Sequence, residues 1–203
     1  MSQILFTSDL HFGHEHLLQY QRQEFGSAAE MDVALIEGWR NAVGRKDTVY
    51  LLGDVSFHRP AATAAILEQL PGHKILVRGN HDKSVDKPAL RKHFDRIEDM
   101  LEIKVPDPDA YEKRQRIVLC HYPMVTWSAS RYGSWMLHGH CHANLREDLL
   151  PKAKRLDIGV DSAFKMGLGY RPFTYDEVKA FMKARVMKTV DHHRPKDWEH
   201  EEA

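Results

Sequence analysis

The sequence predicts a single α/β domain, a two-sheet αββα sandwich, and two patterns predict it. Before residue 95, short apolar runs alternate with helical periodicities, the order that builds a parallel sheet covered by helices. After it, 97–105 and 116–120 read as strands paired around the turn residues Pro106-Asp107-Pro108-Asp109, which adds an antiparallel region against the first sheet. The 203 residues suffice for one sizeable core and little more. One domain is therefore expected over 1–190, with a polar, frayed tail over 191–203.

The chain enters its first strand at Ile4-Leu5-Phe6-Thr7 without a basic or long apolar leader, so no signal peptide is expected. Residues up to Gly26 are polar and irregular. Ser27-Ala28-Ala29-Glu30 has the form of a capping box, and Met31, Leu35, Trp39 and Val43 then recur at helical spacing before Gly44. Strand 48–52 follows, then an alanine-rich helix from Pro60 to Leu70, ended by Pro71-Gly72. Strand 74–78 leads into a short helix over 85–94 with Pro88 in its first turn. The aromatic-rich loop 122–134 either lines a pocket with Trp127 and Tyr132 or packs them into the core. Strand 155–160 precedes a second capping box, Thr174-Tyr175-Asp176-Glu177, whose helix turns Val178, Phe181, Met182, Val186 and Val190 inward.

Composition excludes several classes. Lys+Arg and Asp+Glu balance at 29 each, so no overall basic field exists to hold a nucleic-acid backbone, although a local patch is compatible with the balance. No apolar run approaches the roughly 20 residues of a membrane span. The two cysteines, Cys120 and Cys141, are too few for a disulfide framework and read as reduced thiols of a cytoplasmic protein. Histidine is the outlier at 14 residues.

Those histidines are not scattered. Lys74-Ile75-Leu76-Val77 stops at Arg78-Gly79-Asn80-His81-Asp82, and four other apolar runs end the same way. They deliver Asp9 and His11, Asp54 after Gly53, His121, and His140 and His142 around Cys141. In open α/β sheets the crevice lies outside the carboxyl ends of the strands, so residues placed this way converge. Buried Asp and His need partners, and five strand ends carrying only Asp, Asn and His point to a metal site. Oxygen and imidazole donors without thiolate suit Mn, Fe, Ni, Co or Zn and argue against a structural zinc.

The series Asp9-x-His11, Gly53-Asp54, Gly79-Asn80-His81-Asp82, His121, Gly139-His140-Cys141-His142 resembles the calcineurin-like metallophosphoesterases, in the family's order over most of the chain. The resemblance is closest to small, stand-alone bacterial-type members. It implies two divalent ions, Mn first among them: one held by Asp9, His11 and His142, the other by Asn80, His121 and His140, with Asp54 bridging. It implies a phosphomonoesterase or phosphodiesterase in which a two-metal-activated hydroxide attacks phosphorus. His81 would assist the leaving oxygen, and Asp82 would orient its ring. Two divalent ions against two ligand carboxylates leave a net positive centre, suited to a small phosphate ester such as a nucleotide. His14 and His16 either approach the phosphate or sit on the surface. Arg78, Arg131 and Arg171 are weaker candidates for a phosphate clamp, and Cys141 is expected to pack away from the ligands. A nuclease of the same superfamily fits the ligands but not the neutral charge. A protein phosphatase would need longer recognition loops. A non-catalytic scaffold of the same fold should have lost a ligand or His81, and none is missing.

Overall fold

Strand β1 (Ile4–Thr7) puts Leu5 on one face and Phe6 on the other, and this alternation separates the two main cores. The next two strands repeat it. In β2 (Thr48–Leu51) Val49 and Leu51 join Leu5, and in β3 (His73–Val77) Leu76 joins Leu5 while Val77 joins Phe6. Fully burying each such side chain contributes about 1.5–3 kcal/mol. The computed structural model describes residues 2–146 and 152–186; the expected tail 191–203 and Val190 lie outside them.

Two sheets result, as expected. The first has the order β4-β3-β2-β1-β9, where β4 is Arg96–Glu98 and β9 is Phe173–Thr174, with β1 to β4 parallel and β9 antiparallel at the edge. The second is β5 (Met100–Pro106), β6 (Arg114–Cys120), β7 (Trp135–His138) and β8 (Arg155–Asp157). Its first pair is antiparallel and the remainder parallel. Phe6, Leu52 and Val77 meet Leu101, Ile117, Leu119 and Leu137 between the sheets.

The single strand expected over 97–105 is two strands. Chain crossing occurs at Asp99: β4 completes the first sheet, and β5 starts the second. Sequence alternation runs on through this point, but Ile97 packs on the helix side and Leu101 between the sheets, a distinction that apolarity does not encode.

The first sheet's outer face is covered by α1 (Ala28–Ala42), α2 (Pro60–Leu67) and α3 (Pro88–Arg91). Ser27 caps α1 by accepting the Glu30 N–H at 3.2 Å, but Glu30 returns its bond to Gly26 N–H at 2.8 Å, one residue before the usual capping-box partner. α2 stops before Leu70: the chain tightens into a turn in which Gln69 N–H donates to Ile66 O at 2.9 Å, and the Lys74 ammonium holds the residues beyond it by donating to Leu70 O at 2.6 Å and Gly72 O at 3.1 Å. α3 is shorter than expected because Pro88 holds Lys87 extended, so 85–87 form a turn.

Strand 155–160 is likewise cut short. After β8, Gly159 becomes the N-cap of α4 (Val160–Lys165). α5 (Tyr175–Lys183) opens with a complete capping box at Thr174 and buries Val178 and Met182. Val186 lies past its end and is exposed, bridged to Ala153 instead of turned inward. On the second sheet's outer face a small cluster of Val118, Cys120 and Met136 is closed by Trp127 of the 122–134 loop. Trp127 therefore packs, and Tyr132 is exposed. Among the described residues no helix is long and apolar enough to cross a membrane.

Candidate metal centre

Parallel strands of both sheets end on the same side, and their ends interlock. Asp9 N–H donates to Gly53 O at 3.0 Å, His11 N–H to Asp54 O at 3.0 Å, and Gly139 N–H to His121 O at 3.0 Å. Such close approach depends on glycine: a Cβ on Gly79 would collide with Asp54, and one on Gly139 with Ser8 and Asp9. Five of the seven candidate ligands, Asp9, His11, Asp54, His140 and His142, have positive φ between 48° and 69°. Backbone strain of this kind costs about 1–3 kcal/mol per residue and gathers at functional sites.

All seven candidates come together. Ligand atoms of Asp9, His11 and His142 lie within 4.8 Å of one another, and so do those of Asp9, Asp54 and His121. Asp54 Oδ1 accepts the His81 N–H at 2.9 Å, while its Oδ2 lies 3.5 Å from His11 Nε2 and 3.6 Å from His121 Nε2. Asn80 Oδ1 meets His121 Nε2 at 2.9 Å and His140 Nδ1 at 3.1 Å. Asp9 also accepts the His140 N–H at 3.0 Å.

These residues fit divalent cations on an internal criterion. Both ring nitrogens of His11 are buried without a hydrogen-bond partner, and Nε2 stands 3.7 Å from Asp9 Oδ1, outside bonding distance. A buried polar group left unpaired costs about 1–3 kcal/mol, and a cation between the imidazole and the two carboxylates removes that deficit at Nε2. Burial lowers the His11 pKa and so keeps the ring in the neutral form that ligates. For Asp9 the burial penalty is outweighed by the nearby imidazoles of His11, His142 and His121, which lower its pKa and keep it ionised.

The site is braced by residues that sequence reading passed over. Asp161 Oδ2 lies 2.7 Å from His142 Nδ1, which leaves Nε2 facing Asp9. Asp161 is in turn held by Arg22, fully buried, through Nε at 2.8 Å and Nη2 at 2.9 Å. Arg22 also donates to the carbonyls of Leu10 at 2.8 Å and Asp9 at 2.5 Å. Burial tends to lower the His142 pKa, but the Asp161 bond and the Asp9 charge raise it overall. Asp157 accepts from Ala143 N–H and Gly159 N–H, both at 2.9 Å, and so fixes the turn beyond His142. Asp157 ends β8 and Asp161 lies in the first turn of α4 just beyond it, a strand-end placement that could have flagged them; Arg22, inside an irregular stretch, carried no such signal.

Asp82 differs from expectation. Its Oδ2 accepts from Asp54 N–H and Gly79 N–H, both at 2.8 Å, and its Oδ1 from Val55 N–H at 3.0 Å. Its carboxylate pins two ligand loops together and is committed to backbone, so it does not orient the His81 ring. That ring is exposed and makes no hydrogen bond among the described residues; it stands edge-on to His11 at 5.8 Å and beside Phe57 at 4.8 Å.

The other candidates sort clearly. Arg78 is bidentate to Asp86 at 2.7 and 2.8 Å, and Arg171 binds Glu177. Neither arginine serves the centre, and Arg131 stacks on Tyr132 beyond the far end of β6. His14 belongs to the rim: its ring stacks on Phe57 at 3.8 Å, and burial with its histidine neighbours holds its pKa down to about 4. His16 is exposed. Burial pushes the Cys141 thiol up to about 11, so it stays protonated. Two partly exposed rings flank the histidines, Phe57 beside His11 and His81, and Tyr122 edge-on to His121 at 5.1 Å and His140 at 4.8 Å.

Comparison with known proteins follows the same lines. An uncharacterized protein of Methanocaldococcus jannaschii is 30% identical over 197 residues, covering 94% of this chain and 98% of that one. The Gene 66 protein of Mycobacterium phage D29 is 29% identical over 187 residues, covering 80% of this chain and 89% of its own. The crystal structure of a protein of unknown function from Aquifex aeolicus superposes with a TM-score of 0.65 at 26% identity, covering 89% of this chain and 99% of that one. Residues 2–156 match the family model described as calcineurin-like phosphoesterase. With its strand-end carboxylates and histidines gathered into one candidate metal site, the chain belongs to the calcineurin-like phosphoesterase family.

Proposed function

We propose that the protein is a dinuclear, metal-dependent phosphoric ester hydrolase acting on a small phosphomonoester or phosphodiester, with a nucleotide among the candidate substrates. The observation that carries this reading is the position of Asp54 Oδ2, 3.5 Å from a histidine of one ligand group and 3.6 Å from a histidine of the other. A carboxylate oxygen so placed is suited to bridge two cations. Asp9, His11 and His142 would hold one ion and Asn80, His121 and His140 the other, with manganese the first choice. When bound, two divalent ions supply the Lewis acidity that activates water and offsets charge on the phosphoryl oxygens.

The chain's own groups do the rest. Asp161 and Arg22 fix the His142 ring, and Leu52 O, 2.7 Å from His121 Nδ1, fixes the other imidazole with Nε2 inward. His81, joined to Asp54 through its backbone N–H but with a free, exposed ring, can reach an incoming ester without displacing a ligand. In this role it gives a proton to the leaving oxygen. Lacking a carboxylate partner, the ring can turn with the substrate, which suits a pocket that accepts more than one ester.

Metal reconstitution tests the reading. Purified protein with added Mn, Ni or Co should hydrolyse bis(p-nitrophenyl) phosphate or p-nitrophenyl phosphate, lose this activity to chelator and regain it with metal. A chelator-insensitive rate, or inactivity with every metal and both esters, would refute it.

A further inference from the structure

A concavity of about 590 Å³ lies on the outer face of the second sheet, lined by none of the candidate metal ligands. Its volume is that of a small-molecule site. Lys104 of β5 sits directly opposite Arg116 of β6, and Arg114 lies two residues along the same strand face. Like charges directly opposite weaken a strand pair, so this arrangement works against the sheet. Among the described residues Lys104, Arg114, Arg116 and Arg131 form no ion pair. With Glu112 the only carboxylate on the lining, four cations leave three positive charges in excess. In a chain whose 29 cationic and 29 acidic residues cancel, this is a local concentration of charge.

The walls are aromatic. Tyr111 is 84% exposed and Tyr132 70% exposed, and Arg131 lies 4.5 Å over the Tyr132 ring. Gln115 Nε2 donates to Gly133 O at 3.1 Å, tying the loop to β6, and Ser134 Oγ donates to Ser128 O at 2.6 Å. Base stacking on exposed aromatic rings beside cations is how proteins hold nucleotides without reading sequence. Arg116 and His121 are five residues apart along β6 and its end, about 17 Å at ~3.3 Å per residue. None of the residues lining the cavity is a candidate metal ligand, so the two places are built from different side chains.

We propose that this cavity is a separate binding site for a nucleoside di- or triphosphate. Lys104, Arg114 and Arg116 bind the phosphate chain, and Tyr132 stacks on the base. The proposal does not rest on the phosphoesterase reading, since no group in it belongs to the metal centre.

Calorimetric titration of the metal-loaded protein tests it, with four probes: a non-hydrolysable adenosine triphosphate analogue, inorganic tripolyphosphate, adenosine and a single-stranded octanucleotide. The analogue should bind the wild type. Its affinity should fall at least tenfold in the double variant Lys104→Gln/Arg116→Gln and about tenfold in Tyr132→Ala, while tripolyphosphate is insensitive to Tyr132→Ala and adenosine binds weakly. The double variant removes a like-charge pair, so its melting temperature should hold or rise, and weaker binding there cannot come from misfolding. Its turnover of p-nitrophenyl phosphate should equal that of the wild type. Analogue binding unchanged in the double variant, or absent from the wild type, would overturn the site. Tripolyphosphate binding as tightly as the analogue would overturn recognition of the base. An octanucleotide binding tenfold tighter than the analogue would replace the nucleotide with a nucleic-acid strand.

Discussion

Around Asp9, His11 and His142 the donors include buried carboxylate, and the brace behind them is ionic: His142 rests on Asp161, and Asp161 on Arg22. Around Asn80, His121 and His140 the side chains are neutral, the brace is one backbone carbonyl, and His140 is open to solvent. One half is rigid because charges are locked in a dry interior; the other is held by two hydrogen bonds to Asn80. A divalent ion is better compensated where carboxylate is present and water is excluded. The Asp9 half should therefore keep its ion when the Asn80 half exchanges, and the open half is where a substrate oxygen can enter.

The largest effect should come from the group that joins the halves. Asp54→Asn should abolish turnover and reduce bound metal from about two ions towards one or none, read by elemental analysis. Two tightly held ions in that variant would remove Asp54 as the bridge. Next comes a residue that belongs to neither half. His81→Ala should retain both ions yet lower kcat/KM for an alkyl phosphate by about 100- to 10,000-fold, with a much smaller loss for the nitrophenyl ester, whose leaving group needs little protonation. Equal losses on the two esters would eliminate the acid role.

Two further substitutions probe the ionic brace. Arg22→Met leaves Asp161 buried with only His142 as its side-chain partner, and takes the arginine donor from the Asp9 and Leu10 carbonyls; chemical denaturation should register a loss of about 3–5 kcal/mol. Asp161→Asn is gentler. It should weaken the ion in the Asp9 half by about 10- to 100-fold and barely change the other, measured by competition with a chelating dye. Equal weakening in both halves would show that the asymmetry has no energetic content.

What sequence could reveal divides along the same boundary. The candidate ligands were legible because Asp, His and Asn interrupt apolar runs at Asp9, Asp54, Asn80, His121 and His140, a pattern that core packing does not produce. Two sheets were legible from the change of connection near residue 95, whereas the crossing at Asp99 was not, since Ile97 and Leu101 are equally apolar but face different cores. Asp82 was misassigned to His81 by adjacency; its partners Asp54 and Val55 lie 28 and 27 residues away, and only the folded chain brings their amides to it. Arg22 had no signal at all, because a buried arginine is recognised by its partners and not by its neighbours in the chain.

The left-handed residues at Asp9, His11, Asp54, His140 and His142 carry a consequence for how such a site persists. Glycine at any of them would relax the backbone by about 1–2 kcal/mol and would delete a candidate ligand in the same step. Stability and chemistry thus pull these positions in opposite directions. A chain selected only to fold would be drawn to glycine or asparagine at these five points, whereas the proposed centre requires acid and imidazole there.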